Sequence, residues 1–268
     1  MKIAVFTSNQ ARHIALIERL AAVASDVLAI QECTTAFPGQ VEDFYRRSET
    51  MQRYFAKVIA AETKVFGRPR PLPSNVRTLA LRMGDLSFVP LDLLQPALDA
   101  DLCIIFGSSW IRGQLADALI ERGAINLHMG LSPWYRGTAC NFWAAADGRF
   151  ELIGGTVHLL SKGLDSGPIL IHALPPTRRC DAFDLGMLAV QSTHQALYDA
   201  IATEALDEYR RAAVAQDQNL QIRYTKNRDF TDDVAARYLA DVPAPEDIWQ
   251  HLNRHGRSGL TRPHIWRP

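Results

Sequence analysis

KIAVFTSNQARHIALIERLAAVASDVLAI, residues Lys2 to Ile30, decides the fold. Lys2 to Thr7 is a short apolar run of β-branched and aromatic residues, the composition of a strand buried on both faces. Ser8-Asn9-Gln10 supplies helix-capping side chains, and Ile14, Leu16, Ile17, Leu20 and Val23 then recur at helical spacing. Asp26 to Ile30 reads as a second strand. Strand, helix, strand at this spacing is a βαβ unit, which implies a parallel sheet with right-handed crossovers.

Outward from that unit, Phe37 to Phe66 reads as an amphipathic helical insert, with Phe44, Met51, Phe55 and Ile59 on related faces, broken by the Gly67–Pro73 stretch. Leu102 to Phe106 is a third buried strand, Gln114 to Arg122 a short helix and Ala124 to His128 a fourth strand. Thr138 to Asp147 has a helical pattern. Gly154 to Leu160 and Pro168 to Leu174 form two further strands, and a long helix is expected over Ala182 to Val214. From Leu252 to Pro268 the chain carries Arg254, Arg257, Arg262 and Arg267 with no acidic residue. The expected architecture is α/β: a Rossmann-like, mostly parallel sheet flanked by helices over residues 1–215, followed by a small C-terminal extension over 216–268.

The chain has 268 residues, 47% of them hydrophobic, with 29 Lys and Arg against 29 Asp and Glu. A chain of this size buries most of its apolar surface without disulfides or structural metal. Zero net charge argues against a protein that wraps nucleic acid, a role that draws on a positive excess. No apolar run approaches the roughly 20 residues that span a bilayer, and the first residues turn polar too soon for a signal peptide. Cys33, Cys103, Cys140 and Cys180 lie far apart without CxxC spacing, so neither a disulfide framework nor a zinc knuckle is indicated. A soluble, reduced, cytoplasmic protein without metal is the expectation.

The first strand runs into Thr7-Ser8-Asn9-Gln10 instead of GxGxxG, which argues against nicotinamide or flavin binding. The P-loop, HExxH and GxSxG patterns are also missing. What stands out is Asn126-Leu127-His128 at the end of the fourth strand. Residues two apart on a strand point the same way, so the amide and the imidazole project together where open α/β sheets bind ligands. The amide can donate to a developing oxyanion and the imidazole can exchange a proton near neutral pH. A hydrogen-bonded core histidine beside a turn-forming asparagine is the competing reading, and residue types alone leave both open. Gly163-Leu164-Asp165-Ser166-Gly167 has ordinary turn composition. The strand before it carries Thr156 and His158 on one face.

The run NLHMGLSPWYRG (126–137), then GGTVHLL (154–160) and GLDSGPIL (163–170), resembles the signature of the folate-dependent formyltransferases, with Gly130 and Ser132 departing from the usual loop. CIIFGSSW (103–110) is similar to the segment of that family that lines the folate pocket. The resemblance implies a catalytic triad of Asn126, His128 and Asp165, with 10-formyltetrahydrofolate as formyl donor. It also implies a pterin lying against Ile105, Phe106, Gly107, Ser108 and Trp110 on one side and Leu160 and Gly163 on the other. Trp110 serves either ring stacking or core packing.

The acceptor is expected to be a nucleotide-linked amino sugar. Methionyl-tRNA formyltransferases of this resemblance add a basic barrel, and the residues beyond the long helix are few for one; glycinamide ribonucleotide enzymes would leave the tail surplus. A tRNA or other small-amine acceptor, or a non-catalytic folate- or nucleotide-binding protein, are the alternatives. No nucleic acid or membrane partner is expected, and the C-terminal segment suggests a homodimer contact. Phosphate is expected at the helix start, held by Ser8, Asn9, Arg12 and His13, unless Ser8 or Asn9 only caps the helix. Arg136 suits a phosphate or carboxylate of the substrate, or a surface salt bridge.

Overall fold

A computed structural model describes residues 1–35, 48–256, 260 and 263–268. Nineteen elements are named here: β1 (Lys2–Ser8), α1 (Ala11–Ala21), β2 (Asp26–Cys33), α2 (Glu49–Phe66), β3 (Val76–Arg82), α3 (Leu91–Leu98), β4 (Leu102–Ile105), α4 (Gln114–Glu121), β5 (Ile125–His128), β6 (Tyr135–Gly137), α5 (Cys140–Ala146), β7 (Gly155–Leu159), β8 (Ile169–Ala173), α6 (Ala182–Ala202), α7 (Leu206–Arg211), β9 (Arg223–Thr225), α8 (Asp232–Ala240), α9 (Pro245–His255) and β10 (His264–Trp266). Among the described residues the main sheet has eight strands in the order β10-β8-β7-β5-β4-β1-β2-β3, and β6 pairs with β9 in a separate ribbon. β7 alone runs against the rest, so the sheet is mostly parallel as expected.

β1 is apolar from Ile3 to Phe6 and β4 throughout because helices cover both faces of the sheet, and Val5 and Ile104 are fully buried at its centre. β3 was not expected. Its Val-Arg-Thr-Leu-Ala-Leu-Arg alternation belongs to an edge strand with much of its surface in solvent, and Arg77 pairs there with Asp26. α2 starts on the Ser48 side chain, which accepts from the Met51 amide, and ends at Gly67. The expected insert over Phe37 to Phe66 is therefore helical from Glu49; residues 37–47 lie outside the described residues. The long helix expected to reach Val214 stops at Ala202, because Glu204 takes a left-handed backbone (φ 59°), and α7 follows.

The segment from residue 216 returns to the body of the protein. β9 lies along β6, β10 extends the sheet beyond β8, and the Trp266 indole donates to Asp199 at 2.8 Å. α8 and α9 bury Ala235, Tyr238, Ile248 and Leu252 in one cluster with α5 and the start of α6. No described helix is long and apolar enough to cross a membrane. Arg257 and Arg262 of the basic tail lie outside the described residues.

Candidate active site

β5 ends where the chain leaves the sheet at its carboxyl edge, and β7 lies antiparallel against it. Their register puts Asn126 opposite His158 and His128 opposite Thr156, so each strand presents its two-apart pair to the other. Thr156 braces the chain after β5: its hydroxyl donates to the Gly130 carbonyl at 2.6 Å and accepts from the Ser132 amide at 2.9 Å. Gly130 explains one departure from the usual loop. A Cβ there would sit 2.4 Å from the Cys140 Cβ and 2.8 Å from the His128 Nε2.

Asp165, in the turn between β7 and β8, closes the group. Its backbone is left-handed (φ 47°), a conformation aspartate tolerates better than most residues. The Asn126 amide donates to Oδ1 at 3.3 Å, the Gly137 amide donates to Oδ2 at 3.1 Å, and His128 Nδ1 lies 3.3 Å from Oδ2. Asn126, His128 and Asp165 thus meet in space from two separate segments, the end of β5 and the turn between β7 and β8.

His158, noticed in the sequence only as the neighbour of Thr156, belongs to the same network. Its Nδ1 lies 2.8 Å from the Leu159 carbonyl, which can only accept, so that nitrogen carries the proton. The other nitrogen then accepts from the Asn126 amide at 3.0 Å. Both amide hydrogens of Asn126 face acceptors, which fixes the orientation of the side chain.

The electrostatics follow from burial and these neighbours. Burial alone would raise the Asp165 carboxyl, but the adjacent His128 and His158 rings and the Gly137 amide bring it down to about 2. Burial lowers His128 below the ordinary histidine value of 6.5, against the opposing pull of Asp165 and of the Tyr135 carbonyl 3.1 Å from Nε2. Both ring nitrogens face groups that only accept, Asp165 at Nδ1 and the Tyr135 carbonyl at Nε2, so the neutral ring donates to one of them and has its second nitrogen free to take a proton.

The group opens into a cleft of about 2470 Å³. Ligand pockets for one small molecule run to about 1,000 Å³, so this cleft has room for two reactants side by side. Ile105, Phe106, Gly107 and Ser108 line it from the end of β4, and Leu160 and Gly163 from the turn after β7. Trp110, also on the cleft, is 64% exposed with the Arg112 guanidinium over its ring, so it is not a core residue. Sequence reasoning missed Glu32. This fully buried carboxylate accepts from the Gly84, Leu86 and Ser109 amides and the Ser109 hydroxyl, tying the loop after β4 to the loop after β3.

At the start of α1, where Ser8, Arg12 and His13 line the cleft, the side chains expected to grip phosphate have partners within the protein. The Ser8 hydroxyl donates to the Glu32 carbonyl, and Asn9 is tied to the backbone of Thr34 through both its amide groups, so these side chains close loops. Arg12 is paired with Glu62 at 2.7 Å. His13 lines the cleft but is buried against Phe106. Arg136 likewise has a partner within the protein. It is 9% exposed, donates to the Leu164 carbonyl at 2.8 Å, and has neither a carboxylate partner nor a place on the cleft wall among the described residues. It holds the Asp165 turn from behind. Among the described residues no group of three or more His, Cys, Asp or Glu is arranged to hold a metal ion.

Residues 94–201, which contain Asn126, His128 and Asp165, match the formyl transferase family. The chain has the formyltransferase fold. Among solved structures it is similar to a 4-N formyltransferase from Francisella tularensis, with a TM-score of 0.51 and 17% identity over 85% of this chain and 77% of that one. It is also similar to a sugar N-formyltransferase from a Shewanella species, with a TM-score of 0.51 and 15% identity over 86% and 78%. By sequence it is 36% identical over 121 residues to the methionyl-tRNA formyltransferase of Trichlorobacter lovleyi, and 28% identical over 189 residues to that of Roseiflexus. Those alignments cover 41% and 66% of this chain but only 37% and 55% of the relatives' lengths.

Proposed function

We propose that the protein transfers a formyl group from 10-formyltetrahydrofolate to the primary amine of a nucleotide-linked amino sugar. The interlocked Asn126–His128–Asp165 group, opening on a cleft with room for both reactants, is the observation that carries this reading. Residues 1–215 supply the donor wall and the reacting groups, and 216–268 form an extension that closes on them.

10-Formyltetrahydrofolate supplies the formyl group, and its flat ring suits the wall made by Phe106, Gly107 and Leu160, with Trp110 and Arg112 towards the mouth. The acceptor amine must be neutral to attack. His128 receives the proton the amine loses, Asp165 stabilises the imidazolium that results, and the proton passes to N10 as the N10–formyl bond breaks and tetrahydrofolate leaves. Negative charge develops on the formyl oxygen, and the Asn126 amide hydrogen now on Asp165 is the one it recruits, because that 3.3 Å bond is the weaker of the two. His158 keeps the Asn126 amide turned the right way throughout.

The relatives' names favour a second reading, methionyl-tRNA as acceptor. The equal numbers of acidic and basic residues weigh against it, since tRNA binding draws on phosphate neutralisation. Two cations from the segment after β9, Lys226 and Arg228, stand on the cleft and suit a sugar nucleotide's diphosphate. Incubating the protein with 10-formyltetrahydrofolate, a panel of dTDP-, UDP- and GDP-linked amino sugars and initiator methionyl-tRNA separates the readings. Formylation of a sugar is expected; formylation of the tRNA alone would replace this acceptor.

A further inference from the structure

The first turn of α1 lacks the groups that usually satisfy a helix start. Its N-cap, Gln10, makes no side-chain cap, and no acidic residue lies in the first turn. The Arg12 amide and guanidinium at this helix start form the anion site that the sequence assigns to a substrate phosphate. The site already holds an anion. Glu62, from α2 and fifty positions along the chain, places Oε1 3.0 Å from the Arg12 amide and Oε2 2.7 Å from the Arg12 guanidinium. The carboxylate is more than nine-tenths buried, and Glu62, Arg12 and His13 all line the cleft.

We propose that Glu62 is a specificity-determining residue: its carboxylate fills the anion position at the head of α1, so the cleft refuses an acceptor whose phosphate would seat there. This inference rests on reading the cleft as a formyl-transfer site. Two oxygens already bonded to one amide and one guanidinium retain lone pairs, so the same wall accepts hydrogen bonds from neutral hydroxyl donors. A phosphate monoester would bring a second anion against the first, and like charges at that separation repel strongly in a site shielded from water. An acceptor that meets α1 with sugar hydroxyls and carries its phosphates towards Lys226 and Arg228 avoids that contact. Glycinamide ribonucleotide, a small amine bearing a phosphate monoester, is the kind of acceptor excluded if its phosphate reaches the head of α1.

Titration of inorganic phosphate into the wild-type protein, Glu62→Gln and Glu62→Ala, followed by calorimetry, tests the proposal without any turnover. Either folded variant should bind phosphate at least about tenfold more tightly than wild type. Adding Arg12→Ala to the variant should abolish the gain. Equal phosphate affinity in wild type and both folded variants would overturn the proposal, as would a gain indifferent to Arg12. Formyl transfer assayed in parallel should show glycinamide ribonucleotide becoming a better acceptor in Glu62→Gln relative to amino sugars. A gain in phosphate binding with no formylation of any acceptor by any form of the protein would support the role of Glu62 while overturning the formyl-transfer reading.

Discussion

Asp165 is the residue on which the proposed chemistry converges, since the Asn126 and Gly137 amides donate to its carboxylate and His128 lies against it. Asp165→Asn preserves its shape and removes the charge. It should lower kcat by about 10²–10³-fold, the scale on which a site loses one preorganised electrostatic partner; steady-state kinetics on the folded variant check this, and near-normal turnover would exclude the role. The pH profile carries a second prediction. His128 acts as a base only when neutral, so activity should be lost as pH falls through its pKa, and burial puts that acid limb of kcat/KM below 6.5. The Asp165 carboxylate raises the His128 pKa, so in Asp165→Asn the limb should move further towards acid; a shift upward would contradict the pairing. Asn126 and His128 were legible as a pair because alternation along a strand fixes which residues share a face. Asp165 was not: its turn composition is ordinary, and only resemblance linked it to them. Glu32 and Glu62 were invisible, because their partners lie up to 77 positions away.

The turn between β7 and β8 is clamped by elements that come from far along the chain. Arg136 on β6 donates to the Leu164 carbonyl, and the Gln216 amide donates to the Asp165 and Gly167 carbonyls, both at 2.8 Å. Gln216→Ala removes two bonds that hold the backbone of Asp165 without touching the cleft chemistry. It should lower kcat by about tenfold while the acceptor KM changes little, since roughly 1.4 kcal/mol of positioning is lost. A change confined to KM would place Gln216 in acceptor binding instead. Gly137, on β6, has φ 94°, and a Cβ there would sit 1.9 Å from the Thr225 carbonyl oxygen on β9. Gly137→Ala should therefore destabilise the protein by about 1–3 kcal/mol in chemical denaturation, with the β6–β9 ribbon the part that gives way. The buried strands were legible as unbroken apolar runs. β3 and the α6–α7 break were not, because an edge strand alternates with charges and a left-handed glutamate leaves no trace in hydrophobic spacing.

At the scale of the whole molecule, four of the five buried histidines among the described residues have lowered pKa values. Burial is the leading cause for all of them, bringing His172 to about 4 and His194 to about 3 and lowering His13 and His128. The unfolded chain takes up these protons near 6.5 while the folded chain resists them. Between 6.5 and about 4 the unfolded state therefore binds more protons, and stability falls as pH drops. A loss of roughly 1–2 kcal/mol for each of His172 and His194 is expected by pH 5; denaturant midpoints that stay flat from pH 7 to 5 would contradict the burial of neutral rings. The fold, with its mostly parallel sheet and the site at the carboxyl end of β5, was legible from the βαβ start and the strand-end motif. The position of the C-terminal segment was not, since nothing in its composition says that β9 and β10 pair with β6 and β8. The most direct measurement of the central claim follows a donor labelled with ¹³C at the formyl carbon, in the presence of a nucleotide-linked amino sugar. The label should appear as a formamide carbon on the acceptor with the wild-type protein and should not with folded His128→Asn; label that stays on the donor or emerges only as formate, with Asn126, His128 and Asp165 all intact and a range of amino-sugar acceptors supplied, would contradict it.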